Sequence, residues 1–482
     1  MDLKNNSHIE KASPLQVGMR RLTSLGGAVE MDLDGLGYFG ASYKAGEGVS
    51  QVIAYTIAES PIHSLGAAQN FIPDGRKEAW DSDHAEPTLI QAIGNSFAPS
   101  VIQSSQTYAD AGNITYADHS YLANEALWDD YFFSSVDPVT VPAYKNATVA
   151  YAEQMDRFED FVGVSTGVSV SLPNSRFVPW WEDPSNPATT VAKLFDGSSP
   201  RGDAYQKIGG NLLIDGMFNV NSTSVDAWIA LLGGLKELSM PVRSSDATNS
   251  TVTLTQGGSP TANAVVPAGT IAVGGEIDEA TLSSPEERDQ WVGFRSLSDT
   301  QIEELATAIV DQVRLRGPFL SLADFVNRRI TTDPDVAVSG ALQSALDDPA
   351  VSINQAYRSG SRSLSLADAQ SDGFPFPEAE AGVKSVAAPG YVDQGDILTP
   401  LGPILSARSD TFTIRAYGDR KDLAGNIESR IYIEAVVQRT PDYVDGADEN
   451  HVEAAVLSNL NGVFGRKFRI VSFRVIPPEE LG

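Results

Sequence analysis

The sequence predicts an α+β protein of several domains, with a helical region that contains a helix-hairpin-helix and a small C-terminal antiparallel sheet with helix cover. Residues 296–330 carry two helical patterns separated by a tight turn. From Ile397 onward, short runs alternate between apolar and polar residues, which is typical of strands in one antiparallel sheet. The length of 482 residues and the hydrophobic content of 42% allow more than one core.

Changes in composition divide the chain into five segments. The first has no clear fold, the second is a mixed α+β region rich in aromatic residues and Asn, and the third is a Thr/Ser/Gly-rich strand hairpin or linker. The fourth is helical and ends in an acidic loop, and the fifth is the C-terminal α+β layer. Their boundaries are 1–60, 61–245, 246–280, 281–396 and 397–482.

The helix hairpin is the clearest local pattern. Ser298 is a suitable N-cap for a helix that ends at Gly317-Pro318, and Ser321 is a suitable N-cap for a second, shorter helix. Apolar residues recur at helical spacing in both helices. We therefore expect one shared core between them, built from Leu305, Ile309, Phe319, Leu322 and Phe325.

A polar run precedes another predicted helix. In Asn219-Val-Asn-Ser-Thr-Ser224, either Asn221 or Ser222 is predicted to cap a helix that continues through Trp228. The polar side chains of this run are expected to serve the local turn backbone. Further along, Val338–Leu346 is predicted to be a short helix.

The C-terminal layer is predicted to run strand, strand, helix, strand. The strands are 411–417, 427–438 and 468–475, and the helix is 452–460. Strict alternation places Phe412, Ile414 and Ala416 on one face of the first strand. In the last strand, strict alternation divides the apolar residues between both faces. One face would carry Phe468, Ile470, Ser472 and Arg474. The other would carry Arg469, Val471, Phe473 and Val475. We expect the helix or a protein partner to cover one side of this sheet.

The charge balance excludes several classes of partner. The sequence has 34 Lys and Arg against 63 Asp and Glu, which gives a net charge of −29. Similar helix hairpins bind the phosphate backbone of DNA, but this negative charge disfavours nucleic acid as a partner. With no cysteine, disulfides and thiolate metal sites are excluded. No apolar run reaches the roughly 18 residues of a membrane span, so no transmembrane segment is expected.

Catalytic and metal-binding patterns are few. Gly163-Val-Ser-Thr-Gly167 fits the nucleophile elbow of hydrolases, but the alternation after it favours a strand edge. The aromatic residues Trp128 and Tyr131–Phe133 are expected in a core rather than on a sugar-binding shelf. We expect no cofactor, with calcium as the one candidate, because hard oxygen ligands cluster in an acidic loop. Its candidate ligands are Asp442, Asp445, Asp448 and Glu449.

Several sequence segments resemble the Verru_Chthon cassette protein A family of bacterial envelope proteins, whose members are encoded beside prepilin-like proteins. They include IGNSFAPSVI, NEALWDDYFFSS, LLIDGMFNVNSTSVDAWIALL, GPFLSLADFVNRR and LTPLGPILSARSDTFTIRAYGD, in this order after Ser60. The helix hairpin and the following strands are also similar to the K component of type II secretion, a minor pseudopilin. Unlike a pseudopilin, this sequence has no apolar N-terminal helix.

The resemblance implies a non-enzymatic structural or assembly protein of a pilus-like or type II secretion-like apparatus in the bacterial envelope or exterior. Its partners would be proteins, either pilin-like proteins or copies of itself. Two alternatives stay open: a hydrolase of envelope polymers, and an adhesin or carbohydrate-binding surface protein.

Overall fold

The computed structural model describes residues 93–112, 114–128, 151–164, 176–181, 185–234, 297–355, 363–383, 391–452 and 454–477, together with short strands and single residues elsewhere. The chain forms two compact units. Unit 1 comprises Met1–Phe133 and Phe218–Ala407, and unit 2 comprises Ser134–Met217 and Arg408–Gly482. The α+β class predicted from the sequence is confirmed by the helices and small sheets of the described residues.

Within the described residues, the helices are α1 His119–Leu127, α2 Tyr151–Val162, α3 Ala188–Leu194, α4 Ala204–Lys207, α5 Val225–Gly233, α6 Asp299–Arg316, α7 Leu322–Val326, α8 Pro334–Ala337, α9 Ala341–Leu346, α10 Leu366–Ser371, α11 Gln394–Leu401 and α12 Asn459–Phe464. The strands are β1 Leu15–Arg21, β2 Gln51–Ala58, β3 Tyr108–Ala111, β4 Ile114–Ala117, β5 Phe177–Pro179, β6 Phe195–Asp196, β7 Ser199–Pro200, β8 Leu212–Ile214, β9 Phe218–Asn219, β10 Met240–Arg243, β11 Val252–Thr255, β12 Val266–Pro267, β13 Trp291–Val292, β14 Ser363–Leu364, β15 Gly382–Val383, β16 Leu405–Ser406, β17 Thr411–Lys421, β18 Ile427–Tyr443 and β19 Arg466–Ile476.

The helix hairpin α6–α7 lies at the centre of unit 1. Ser298 begins α6 with a capping box, in which its hydroxyl accepts from the Gln301 N–H and the Gln301 side chain accepts from the Ser298 N–H. Ser321 caps α7 by accepting from the backbone of Asp324. The apolar stripe of α6 packs with α5, α9 and α11 into one core.

A buried polar network fills the space beside this core. Gln343 and Gln394 exchange bonds, since the N–H of each donates to the side-chain oxygen of the other at 3.1 and 2.9 Å. The Gln394 amide also donates to the carbonyls of Gly94 and Val326, and the amide of Asn95 donates to the Asp393 carboxylate. These bonds satisfy groups that would otherwise be costly to bury, and they join segments that are distant in sequence.

Unit 2 combines a small core with a three-stranded sheet. Phe158 and Phe161 of α2 pack against Leu194, Phe195 and Ile208. The sheet has the order β17-β18-β19, and both pairings are antiparallel. Its three strands carry most of the regular backbone pairing in this unit.

The structure corrects several predicted boundaries. Ser224, not Asn221 or Ser222, is the N-cap of α5, and its hydroxyl accepts from the Ala227 N–H. The predicted helix 452–460 is replaced by a 3₁₀ turn at Ala454–Val456 followed by α12.

The other short elements also differ in detail. The predicted helix Val338–Leu346 begins only at Ala341, after an extended Gly340. A Cβ at Gly340 would lie 2.1 Å from the Val326 carbonyl oxygen, so only glycine fits there. The segment 246–280, predicted as a strand hairpin or linker, contains β11 and β12. Each of these strands pairs with a strand outside the segment, β11 with β10 and β12 with β13.

Candidate functional site

The three-stranded sheet of unit 2 has one face built from apolar side chains. In an antiparallel pair, residues directly opposite each other point to the same side of the sheet. The register pairs Ile414 with Ala435 and then Ala435 with Phe473, which places all three on one side. Following the same register gives the apolar sheet face, defined as Phe412, Ile414, Ala416, Ile431, Ile433, Ala435, Val437, Phe468, Ile470, Phe473 and Val475.

This apolar sheet face is exposed. Ile470 and Phe473 leave 65% and 59% of their surface accessible, and Ile414 leaves 51%. The rings of Phe412 and Phe468 lie across β18 from each other, with centroids 6.2 Å apart. Isolated exposed apolar residues are ordinary, but a contiguous exposed patch of this kind is unusual, which makes this face the candidate interaction surface of the described residues.

A β-bulge explains why strict alternation gave the wrong faces for β19. The register pairs Val436 with Ser472 but Val437 with Ile470, so Val471 is an extra residue without an opposite partner. The insertion shifts the alternation by one, and Phe468 and Ile470 therefore join Phe473 on one side. The predicted grouping of Phe468 and Ile470 on the face opposite Phe473 and Val475 was wrong. No feature of the sequence at Val471 distinguishes it from a regular strand residue.

The opposite face of the sheet is polar. Glu434 accepts from Arg415 at 2.7 Å and from Arg474 at 2.9 Å, one arginine from each neighbouring strand. These hydrogen bonds, with that of Arg415 contributing most, hold the pKa of Glu434 below its usual value. The rings of Tyr417 and Tyr432 lie beside this triad with centroids 4.9 Å apart and their planes tilted by 43°.

One end of the sheet is tied to the rest of unit 2. The guanidinium of Arg469 lies 5.7 Å from the centre of the Trp180 ring, and the Trp180 indole N–H donates to Asp442 at 3.2 Å. Asn450 donates to Asp442 and to the carbonyl of Gly210. Because Arg469 lies opposite Gln438 on the polar face, it is this face that approaches Trp180.

The four acidic residues proposed as calcium ligands have separate partners. Asp445 accepts from the Ala447 N–H, and Glu449 lies 3.8 Å from Lys207 and 3.4 Å from His451. Asp448 accepts from Asn461, whose amide is the main reason that the pKa of Asp448 is lowered. Within the described ranges, no cluster of three or more His, Asp or Glu side chains has a geometry that could hold a metal ion. Calcium binding stays a prediction.

The structure brings the five predicted hairpin residues together. Leu305, Ile309, Phe319, Leu322 and Phe325 are buried in the same core of unit 1. The Phe319 and Phe325 rings meet edge to face, with centroids 5.2 Å apart.

A helix, not a strand, precedes the hydrolase-like motif. Helix α2 ends at Val162, next to Gly163, whereas a nucleophile elbow requires a strand at this point. Ser165 lies outside the described residues, as do Tyr131–Phe133 of the aromatic run. Trp128 of that run is fully buried.

Two further observations bear on identity. None of the helices in the described part of the chain has both the length and the apolar character needed to cross a membrane. Comparison with protein-family models, with curated proteins and with solved structures finds no match to this chain.

Proposed function

We propose that this chain is a non-enzymatic structural or assembly protein of a bacterial envelope apparatus of the pilus-like or type II secretion-like kind, and that it works through protein–protein contacts. The observation that supports contact as its mode of action is the apolar sheet face. Its eleven residues come from all three strands and include exposed aromatic rings. Aromatic side chains are enriched in the buried centres of protein interfaces, which are more apolar than their rims.

The setting in the envelope rests on the resemblance of the quoted phrases to Verru_Chthon cassette protein A, and the apparatus rests on that family's association with prepilin-like proteins. The helix that precedes Gly163 supports the non-enzymatic interpretation over a serine hydrolase.

A photo-cross-linking amino acid at position 473, in the bacterium that produces the chain, tests this proposal. The matched control carries the same group at position 413. Thr413 is also exposed and lies opposite Val436, on the polar face of the same sheet. We expect protein adducts from position 473 in the envelope fraction, and few from position 413.

Two outcomes would overturn the proposal. One is a chain confined to the cytosol. The other is a position 473 that forms adducts only within its own chain, because the face would then be an internal surface. Denaturing gel electrophoresis identifies this outcome, since an internal adduct keeps the mass of a single chain whereas an adduct between two copies doubles it.

A further inference from the structure

We propose that the apolar sheet face packs against the same face of a second copy of this chain, giving a symmetrical two-sheet sandwich. This inference rests on the proposed function and names the partner. Three properties of the sheet support it: the direction of its charged side chains, the sign of its charge relative to the rest of the chain, and the area of the apolar face.

The charged side chains in the middle of the sheet point away from the apolar face. Arg415, Glu434 and Arg474 are mutually opposite in the register and bind one another on the polar side. At the ends of the apolar face, Arg439 pairs with Asp410, and Arg420 pairs with Glu428. Two copies that meet through this face therefore bury no unpaired charge, which is the costly event at an interface.

The charge of the three strands differs in sign from that of the whole chain. Strands β17, β18 and β19 contain nine of the 34 basic residues and four of the 63 acidic ones. They carry a surplus of positive charge in a chain whose net charge is −29. Contact through most other surfaces would bring acidic groups of two copies together, and like charges oppose association. The basic surplus of the strands lies on the polar face and at the strand ends, so contact through the apolar face does not bring these side chains together.

The size of the face suits a dimer. Three strands spaced about 4.8 Å apart and roughly 36 Å long present about 500 Å² in projection. Two such faces bury about 1,000 Å² or more in total, which is near the lower end of specific protein interfaces. Two sheets packed face to face lie about 10 Å apart with their strands nearly aligned, so the interdigitated apolar residues form a closed core. Because each copy contributes the same face, the assembly closes at two copies.

Sedimentation velocity on the purified full chain tests the inference. We expect a dimer across about 1 to 100 µM, a range that covers ordinary specific affinities. Since the contact is apolar, the dimer should persist at high salt concentration, where surface ion pairs are screened.

A double variant, Ile470→Lys with Phe473→Lys, should raise the dissociation constant about a hundredfold or more, because symmetry brings four buried ammonium groups together. The matched control is Val463→Lys in α12, an apolar residue outside the face that is 77% exposed. It should leave the dimer intact. Both variants should keep the wild-type circular dichroism spectrum, since all three positions are more than half exposed in the single chain.

The inference fails if the wild-type chain is a monomer over this range, or if the double variant dimerises as the wild type does. Its failure is separable from that of the proposed function. A monomeric chain whose position 473 cross-links to a different envelope protein refutes the dimer alone, whereas a position without intermolecular adducts refutes both. Capture of single-stranded nucleic acid by the aromatic residues of the face would also overturn it, because nucleic acid would then be the occupant.

Discussion

Asn221 and Phe319 form a two-way hydrogen-bonded pair between the loop before α5 and the turn of the helix hairpin. The Asn221 side-chain oxygen accepts from the Phe319 N–H at 2.6 Å, and its amide donates to the Phe319 carbonyl at 2.9 Å. The same amide donates to the carbonyl of Ala407 at 2.9 Å. One side chain thus satisfies backbone groups of two segments that are distant in sequence, rather than the local turn that the sequence predicted.

Replacing Asn221 by Ala should destabilise the protein by about 2–4 kcal/mol, because the backbone groups of Phe319 and Ala407 lose their partner in a partly buried site. Urea unfolding measures the change. Ser222→Ala is the control, since the Ser222 hydroxyl makes only a 3.4 Å exposed contact with the Ser224 N–H. Equal stability of the two variants would contradict the bridging role of Asn221.

Phe319→Ala should cost about 3 kcal/mol or more, because the ring is buried against Phe325 and its removal leaves a cavity. Its neighbour Leu320 is 67% exposed, and Leu320→Ala should change stability by less than about 0.5 kcal/mol. Thermal unfolding of both variants checks the difference. An unchanged melting temperature for Phe319→Ala would remove the ring from the core.

The ionisation of Asp393 should make the stability of the protein depend on pH. Burial raises its pKa to about 6, whereas an aspartate in an unfolded chain has a pKa near 3.9. Between these values the folded state binds more protons than the unfolded state. The free energy of unfolding therefore falls as pH rises from about 4 to about 6. Burial also raises the pKa of Asp347, which adds to the fall with the same sign.

The variant Asp393→Asn keeps an N-capping side chain for α11 and removes the titrating carboxyl. It should reduce the fall in stability by on the order of 2 kcal/mol. Denaturant unfolding at several pH values, with the exposed Asp372→Asn as control, measures this. Identical pH profiles for Asp393→Asn and the wild type would disprove the assignment.

Nucleic acid should not bind at physiological salt, because the chain carries a net charge of −29 and the arginines at the centre of the sheet are paired with Glu434. Fluorescence anisotropy with labelled single- and double-stranded DNA at about 150 mM salt measures this. Binding at micromolar concentration or tighter would show that the local positive charge of the sheet outweighs the charge of the whole chain.

Ser165 should not act as a nucleophile, because α2 ends just before Gly163 and no strand precedes the motif. A fluorophosphonate probe followed by mass spectrometry checks this residue directly. Stoichiometric labelling of Ser165 that is lost in Ser165→Ala would favour the hydrolase alternative instead.

The elements that were predicted well are those with local causes. The helix hairpin follows from the N-caps Ser298 and Ser321 and from an apolar stripe at helical spacing, and all of these signals lie within a few residues of their effect. The strands of the C-terminal sheet were likewise found from alternation.

What the sequence did not reveal depends on distant partners. Asn221 looks like any turn residue until its contact with Phe319 is known, and Gln394 looks like an ordinary helix residue until its bonds to Gln343 are known. Residues 134–217 and 408–482 form one unit, and this too depends on contacts between segments that are far apart in sequence. A local pattern reports secondary structure, but it does not report which distant backbone groups need a partner.

The bulge at Val471 makes backbone register, more than side-chain identity, the property on which the apolar sheet face depends. If Val471 were instead paired as a regular strand residue, the alternation would turn Phe468 and Ile470 to the polar side and disperse the aromatic patch, although every ring would be retained. Conversely, most conservative apolar exchanges within the face would leave it in place. Over evolutionary time, this surface should therefore tolerate substitution and resist insertions and deletions within β19, except the loss of Val471 itself, which would leave Val436–Ser472 and Val437–Ile470 as consecutive regular pairs.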